Sequence, residues 1–297
     1  MKTEETTQQK QLRIINSGNH AEIMRLIGEE LLCEKAQLLL IKRGNPEEIN
    51  AYIISDCPID SLDSFDSMGT TGLVLRARRG AERQPKHFFC KKAEIALIKR
   101  GVTKEIIEYI IRKSFDNEKS KVAIIKRGID KEIKALIIHS FLKEISQIAL
   151  INSGNTKMIK HYISTRSLSL YYKPELLLIK RGITEEIELY ISKHGLCRLS
   201  QRAFIKRAKT KKVTREIMFY ISKRRFYDET QLDLIKRGVT EEIMFYISKW
   251  NLHEDAEIAL INRGKIEEIK VYISLYGFCD EAKLVLADFL TKTYLGI

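Results

Sequence analysis

Short apolar segments that end in Lys-Arg-Gly recur along the chain, each followed by apolar residues at helical spacing. The stretches LLIKRGITEEIELYISK (177–193) and DLIKRGVTEEIMFYISK (233–249) are nearly identical in sequence. In each, the part before the glycine is apolar on most sides, which predicts a short buried helix. After the glycine, apolar residues such as Ile243, Tyr246 and Ile247 mark one face of a second helix. The pattern therefore predicts two short helices in each copy.

The glycine of this motif returns at a nearly constant interval. From Gly101 onward the steps are 27, 26, 28, 26, 30 and 26 residues, with Ala208 standing in for one glycine. The glycines are Gly18, Gly44, Gly101, Gly128, Gly154, Gly182, Gly238 and Gly264. The gap from Gly44 to Gly101 is 57 residues, and LVLRARRG, ending at Gly80, resembles a degraded copy inside it. We therefore predict nine to ten repeats.

The residues around each glycine predict where one helix ends and the next begins. Glycine adopts the left-handed conformation of a helix C-terminus without a Cβ clash. Hydroxyl or carboxylate side chains follow and are candidate N-caps of the second helix, with glutamates in its first turn. These candidates are Thr103, Asp130, Thr184 and Thr240. Asn45 with Pro46 predicts the same kind of helix start.

Two short helices in about 27 residues cannot bury their apolar faces alone, so neighbouring copies must stack. The predicted fold is all-α, an α-solenoid of stacked helical hairpins. Over residues 11–290 the chain resembles the HEAT and armadillo-like helical-repeat superfamily in architecture. Its unit is shorter than the roughly 40 residues of HEAT repeats or about 34 of TPR repeats. Short leucine-rich repeat variants are a second possible relative, and neither resemblance implies a specific function.

We predict one helical-repeat domain over residues 1–297, with an irregular insert near its N-terminal end. The insert opens with DCPIDSLDSFDSMGTTG (56–72) and continues into a basic stretch. Asp60, Asp63 and Asp66 match no EF-hand spacing, which favours a solvated acidic loop over a cation site. The predicted segments are a polar tail (1–10), the insert (54–92), regular repeats (93–275) and a C-terminal capping helix (280–297).

Positive charge is concentrated in one part of the chain. The total is 52 − 39 = +13, and residues 198–225 contain eleven Lys or Arg against one acidic residue, a local +10. Such a cluster suits a polyanion or an acidic partner. The candidate binding residues are Arg198, Arg202, Lys206, Arg207, Lys209, Lys211, Lys212 and Arg215.

Two other columns of side chains recur with the repeat. The Lys-Arg pairs, such as Lys180 with Arg181, either form a row of phosphate-binding cations or neutralise helix C-termini and the following glutamates; we favour the structural role. A tyrosine column either packs neighbouring copies or anchors a partner. The candidate anchors are Tyr190, Tyr220, Tyr246 and Trp250.

Several functional classes find no support in the sequence. The six histidines have no metal-ligand spacing, and no phosphate-binding loop or nucleophile elbow is present, so we predict no catalytic residue, metal or cofactor. Five scattered cysteines suit a reducing cytoplasm. No apolar run is long enough to cross a membrane, and the N-terminus lacks the apolar core of a signal peptide.

The expected function is a non-enzymatic binding scaffold that recognises a protein partner across several copies, with the basic cluster steering an acidic partner. The alternative is a nucleic-acid-binding solenoid that uses the cluster on phosphates. A third possibility is a DNA repair glycosylase, since one HEAT-like family with basic solenoids excises damaged bases, an analogy of fold and charge alone. The oligomeric state stays open.

Overall fold

The protein was analysed as a computed structural model that describes residues 5–55, 88–207 and 209–295. Within these residues the chain forms nineteen helices and no strand. In chain order they are α1 (Thr7–Ser17), α2 (His20–Glu29), α3 (Glu34–Arg43), α4 (Pro46–Ile54), α5 (Lys91–Arg100), α6 (Thr103–Lys113), α7 (Glu118–Arg127), α8 (Asp130–His139), α9 (Glu144–Asn152), α10 (Thr156–Thr165), α11 (Tyr172–Arg181), α12 (Thr184–Lys193), α13 (Arg198–Ile205), α14 (Lys211–Lys223), α15 (Asp228–Arg237), α16 (Thr240–Ile247), α17 (Glu254–Asn262), α18 (Ile266–Leu275) and α19 (Asp280–Leu295). No described helix is both long and apolar enough to span a membrane.

The chain divides into two compact units, Met1–Ala149 and Leu150–Ile297, and the boundary lies within α9. Within each unit, odd-numbered helices pack on odd-numbered ones and even on even. Examples are α5 on α7 and α6 on α8 in the first unit, and α13 on α15 and α14 on α16 in the second. Each unit thus has a first layer of odd helices and a second layer of even helices. The predicted all-α, solenoid-like repeat fold is confirmed, with nine helix pairs among the described residues.

The ends of the chain refine two predicted boundaries. Residues 7–10, expected in a polar tail, form the first turn of α1, where Thr6 caps the helix and accepts from Gln9 N. At the other end, α19 packs on α17 and extends the first layer. The terminal helix therefore lies where the sequence expected a capping helix.

The insert does not separate the copies on either side of it. Across the gap, α3 packs directly on α5 and α4 on α6, as successive copies do elsewhere in the unit. Gln37 accepts a hydrogen bond from Cys90 N at 2.7 Å, and Lys113 Nζ donates to the Ser55 carbonyl at 3.1 Å. The suspected copy at Gly80 and the acidic loop at 56–72 lie outside the described residues.

The predicted helix C-termini at the glycines are confirmed, whereas most of the predicted N-caps are wrong. Gly101 and Gly238, among others, have φ values of +84° and +75° and close their helices in the left-handed conformation. Asn45 caps α4 as predicted, accepting from Glu47 N. By contrast Thr103, Asp130, Thr184 and Thr240 are the first residues inside their helices, and the preceding Val or Ile is the cap. These four residues are therefore not N-caps.

Thr184 and Thr240 instead bond to the next copy. The Thr184 hydroxyl donates to Glu216 on α14, and the Thr240 hydroxyl accepts from Arg263 at 3.1 Å. Both hydroxyls thus connect neighbouring copies.

An arginine at or just after the end of seven first-layer helices joins that copy to the one before it. Its Nε lies 2.8–3.1 Å from a glutamate on the second helix of its own copy in six cases. The other guanidinium nitrogens donate to carbonyls at the previous first-layer C-terminus, as Arg127 does to Ile98 at 3.0 Å and Gly101 at 3.1 Å. We call these residues the staple arginines. They are Arg43, Arg100, Arg127, Arg181, Arg207, Arg237 and Arg263.

A second network links a buried Gln or Glu on five first-layer helices to a tyrosine on the second layer. Gln201 Nε2 donates to the Tyr220 hydroxyl at 2.7 Å, and its Oε1 accepts from Tyr227 N in the next copy at 3.0 Å. Glu257 uses the same geometry with Tyr272 and Cys279 N, at 2.6 and 2.9 Å. Each such side chain therefore pairs inside its copy and with the next one.

Replacing Glu94 by glutamine should stabilise the protein at neutral pH. Burial raises the pKa of Glu94, which accepts from Tyr109 and Ser120 at 3.2 and 2.7 Å. A raised folded pKa contributes stability below the unfolded pKa that is lost as pH rises through the folded pKa. Glu94→Gln removes that loss, and Gln37 shows that an amide fits this position. We expect a gain of about 1 kcal/mol near pH 7.5 that shrinks toward pH 4, measured by urea unfolding. The reverse change, Gln37→Glu, should lose stability as pH rises; equal pH profiles in all three proteins would contradict the assignment.

Candidate binding groove

The Lys-Arg ladder divides into two columns with different environments. The staple arginine side chains are 4–27% exposed, and their glutamate partners are at most 2% exposed. The lysines beside them, such as Lys42, Lys126 and Lys180, are exposed. The arginine half of the ladder is therefore structural, and only the lysine half faces outward.

The tyrosine column lies in the core. Three of the predicted partner anchors, Tyr190, Tyr220 and Tyr246, are 1%, 1% and 0% exposed. Burial raises the pKa of the Tyr220 and Tyr246 phenols to about 12. The fourth, Trp250, is half-buried and donates from Nε1 to the Ile221 carbonyl at 3.0 Å. A partner cannot reach the three tyrosines, so their predicted role as anchors is wrong; they pack neighbouring copies instead.

Two cations of the predicted cluster are paired with acidic residues one copy further on. Arg198 forms an ion pair with Glu229, and Arg202 Nε lies 2.7 Å from Asp233 Oδ2. The hydrogen bond to Asp233 raises the pKa of Arg202. Like charges spaced four residues apart on one helix call for an acidic neighbour or an anionic ligand, and for these two residues α15 supplies the acidic neighbour.

Arg207 is a staple arginine despite the longer connection that follows it. In other copies the paired glutamate is five residues on, whereas Arg207 pairs with Glu216, nine residues on, across the four extra residues. Its guanidinium also lies against Gly182 of the previous copy. Arg207 therefore belongs to the scaffold and is not a free binding residue.

The four extra residues lengthen α14 and change the charge of its first turns. This helix has 13 residues, against 8–11 in the other second-layer helices. Its added turn has Lys211 and Lys212 on the surface, while Val213 is buried. Arg215 is exposed where the corresponding residues of α12 and α16 are Glu185 and Glu241. The break in the repeat thus replaces acidic positions with cations.

These cations line two adjoining depressions on the second layer, of about 560 and 420 Å³, which share Lys211 and Arg215. We call the combined feature the α14 groove. The larger depression also includes Lys209, Met218 and Glu241, and the smaller one includes Lys212, Thr184 and Glu188. Within the described residues, none of Lys209, Lys211, Lys212 and Arg215 forms an ion pair, although Lys212 Nζ lies 3.5 Å from the Gly182 carbonyl.

A third depression of about 250 Å³ lies at the end of α13. Lys206 and Lys209 line it together with Asp233 and Lys236. Lys206 is exposed and forms no ion pair with a described residue. Of the eight predicted binding residues, the structure thus brings five together as exposed, unpaired cations: Lys206, Lys209, Lys211, Lys212 and Arg215.

His194 follows the C-terminal end of α12, at the opposite end of that helix from the groove residue Thr184. Burial and the cations Lys193 and Arg224 lower the pKa of His194. His194 also packs against Tyr190, with ring centroids 5.1 Å apart. A proton on His194 is therefore disfavoured.

The groove walls contain residues that the sequence did not single out for binding. Thr184, Met218, Val239 and Glu241 come from three successive copies. Nothing in the sequence distinguished these residues, because each occupies an ordinary repeat position. Aligning the copies would have drawn attention to Arg215, which is arginine where α12 and α16 have glutamate.

Comparison with known protein families, with curated proteins and with solved structures gives no match for this chain.

Proposed function

We propose that this protein is a non-enzymatic binding scaffold that recognises an acidic segment of a protein partner through the α14 groove. The observation that carries the proposal is the set of exposed cations Lys211, Lys212 and Arg215, which line both depressions without an ion pair among the described residues. Unpaired charge in a concave surface attracts carboxylates and fixes their register. The stapled copies supply a rigid support for it.

The distribution of charge favours a short acidic segment over a nucleic-acid backbone. Affinity for nucleic acid depends on many phosphate contacts along a track of cations. Here the unpaired cations are confined to α14 and the connection before it, and Glu188 and Glu241 line the same depressions. A long phosphate backbone would meet those carboxylates. A nucleic-acid-binding role remains the second candidate, supported by the number of cations in the cluster.

Two further parts of the proposal concern the relationship of the chain to known helical-repeat proteins and its cellular compartment. The two-layer packing of short helices supports a distant relationship to the HEAT and armadillo-like repeats. The cysteines Cys33, Cys90, Cys197 and Cys279 are all free thiols, which supports a reducing compartment such as the cytoplasm.

The proposal predicts that charge reversal in the groove abolishes binding of an acidic peptide. The groove variant carries Lys211→Glu, Lys212→Glu and Arg215→Glu, and the control variant carries Lys42→Glu, Lys126→Glu and Lys180→Glu on exposed ladder lysines. Both change the net charge equally. We expect the groove variant to bind a fluorescein-labelled oligoglutamate at least about tenfold more weakly, with the control within about twofold.

Fluorescence anisotropy across a salt series measures these affinities, with single- and double-stranded oligonucleotides as competing probes. Equally weakened peptide binding in both variants would mean that net charge alone, and not the groove, explains the effect. Tighter, salt-steep binding of an oligonucleotide that is lost in the groove variant would put nucleic acid in place of the acidic peptide.

A further inference from the structure

The first unit contains a second concave surface, on the opposite helix layer from the α14 groove and unrelated to the basic cluster of the second unit. It is a groove of about 520 Å³ between the first-layer helices α5 and α7. We call it the α5–α7 groove. Its described lining is Lys91, Lys92, Ile95, Ala96, Lys99, Asn117 and Lys119, four lysines and no carboxylate.

The lysines of this groove are largely unneutralised. Lys92 Nζ lies 2.7 Å from Glu34 Oε1 on α3, and the hydrogen bond to Glu34 raises the pKa of Lys92. Lys91, Lys99 and Lys119 form no ion pair with any described residue. Their charges therefore face the open groove.

Other first-layer positions show that this charge is not a requirement of the fold. The position of Lys91 is occupied by Glu34, Glu118 and Glu254 in other copies, and the position of Lys99 by Asn152 and Asn262. Between α13 and α15, Arg198 and Arg202 face Glu229 and Asp233. The α5–α7 groove has no such partners on its walls.

The floor of the groove is apolar and includes a small side chain. Ile95 and Ala96 form it, and both are half-buried. The position of Ala96 is also alanine in α7, α9, α13 and α17, whereas α3 and α11 have Leu39 and Leu177 there. The small side chain next to Ile95 leaves room for an apolar side chain of a ligand.

We propose that the α5–α7 groove docks an acidic protein segment in which an apolar side chain is flanked by carboxylates. The apolar side chain would lie on Ile95 and Ala96, and the carboxylates would pair with Lys91, Lys99 and Lys119. Charge complementarity selects the acidic flanks, and the apolar floor favours a peptide over a phosphate backbone. This site goes beyond the α14 groove, since it lies in the other unit and on the other layer.

The chain itself supplies the variants that test this proposal. Ala96→Leu fills the floor with the residue present at Leu39 and Leu177, and Lys91→Glu with Lys99→Asn removes charge with residues that other copies contain. Each substitution therefore suits its helix position. Thermal unfolding of every variant accompanies the binding measurement to show that the fold is kept.

All proteins in this experiment are the full chain and also carry, as a common background, the three substitutions of the α14 groove variant. Peptide binding therefore reports the site in the first unit. The probe is a fluorescein-labelled peptide with a central leucine between glutamates, and its leucine-to-glycine form is the second probe. We expect the leucine peptide to bind and the glycine peptide to bind about tenfold more weakly. Ala96→Leu should remove the difference between the peptides, and the charge variant should weaken the binding of both.

Three results would overturn the proposal. The two peptides could bind equally, Ala96→Leu could leave the leucine peptide unaffected, or an oligonucleotide could bind this background more tightly than either peptide. Because the α14 groove is already disabled in the background, none of these results bears on the proposed function of that groove. The proposed function of the α14 groove is still tested by whether the α14 groove variant loses oligoglutamate binding while its control variant keeps it.

Discussion

Replacing Arg237 by alanine should destabilise the protein by about 3–5 kcal/mol, the cost typical of leaving a buried charge without its partner. Arg237 is the most buried staple arginine, with its side chain 4% exposed. Its Nε lies 2.8 Å from Glu242, whose side chain is fully buried, and its Nη1 donates to the Ile205 carbonyl at 2.7 Å. Alanine would leave the Glu242 carboxylate and the end of α13 without their cation.

Two controls separate this effect from general disturbance of the helix. Lys236→Ala changes the exposed neighbour and should stay within about 0.5 kcal/mol. Arg237→Met combined with Glu242→Gln removes both charges and should recover much of the loss, with Thr214 still bonded to the residue at 242. Urea unfolding measures all three. A loss below about 1 kcal/mol for Arg237→Ala would contradict the staple role of this side chain.

Gly238→Ala should destabilise the protein by about 2 kcal/mol or more, and Gly128→Ala by only about 1 kcal/mol. Both glycines have positive φ, at +75° and +72°, so alanine incurs the left-handed strain at each. At Gly238 the new Cβ would lie 2.6 Å from Arg263 Nη1, whereas no heavy atom lies within 4 Å of it at Gly128. Displacing Arg263 would weaken its 2.9 Å bond to the Gly238 carbonyl.

The difference between the two glycine variants isolates the contribution of the staple arginine at that site. Thermal and urea unfolding of both variants supply it, with Gly128→Ala as the matched reference for backbone strain. Equal losses at the two sites would mean that the guanidinium moves aside at no cost.

Much of the fold is predictable from the sequence because the same physical requirements recur in every copy. Glycine at the end of each first helix and apolar residues at helical spacing suffice to predict the helix pairs and their stacking. The cap prediction failed at Thr184 because a threonine hydroxyl can bond either within its own helix or to a neighbouring copy, and here it donates to Glu216 of the next copy. Local propensity cannot decide between those two partners.

The candidate site was only partly predictable. Its location at residues 198–215 follows from the charge count, yet three of the eight cations turned out to have partners. Arg198 and Arg202 pair with residues 31 positions further on, and Arg207 with one nine positions further on. These pairings depend on the register between copies, which a charge count ignores. The α5–α7 groove depends on how two neighbouring helices bring Lys91, Lys99 and Lys119 together, which composition cannot reveal.

The most direct test of the α14 groove is lysine footprinting of the full chain. Limited acetylation followed by mass spectrometry gives the reactivity of each lysine with and without saturating oligoglutamate. The account predicts that the peptide protects Lys211 and Lys212 several-fold and leaves Lys42, Lys126 and Lys180 unchanged, although all five are exposed. Uniform protection of all five, or protection along the ladder lysines alone, would contradict a site in the α14 groove.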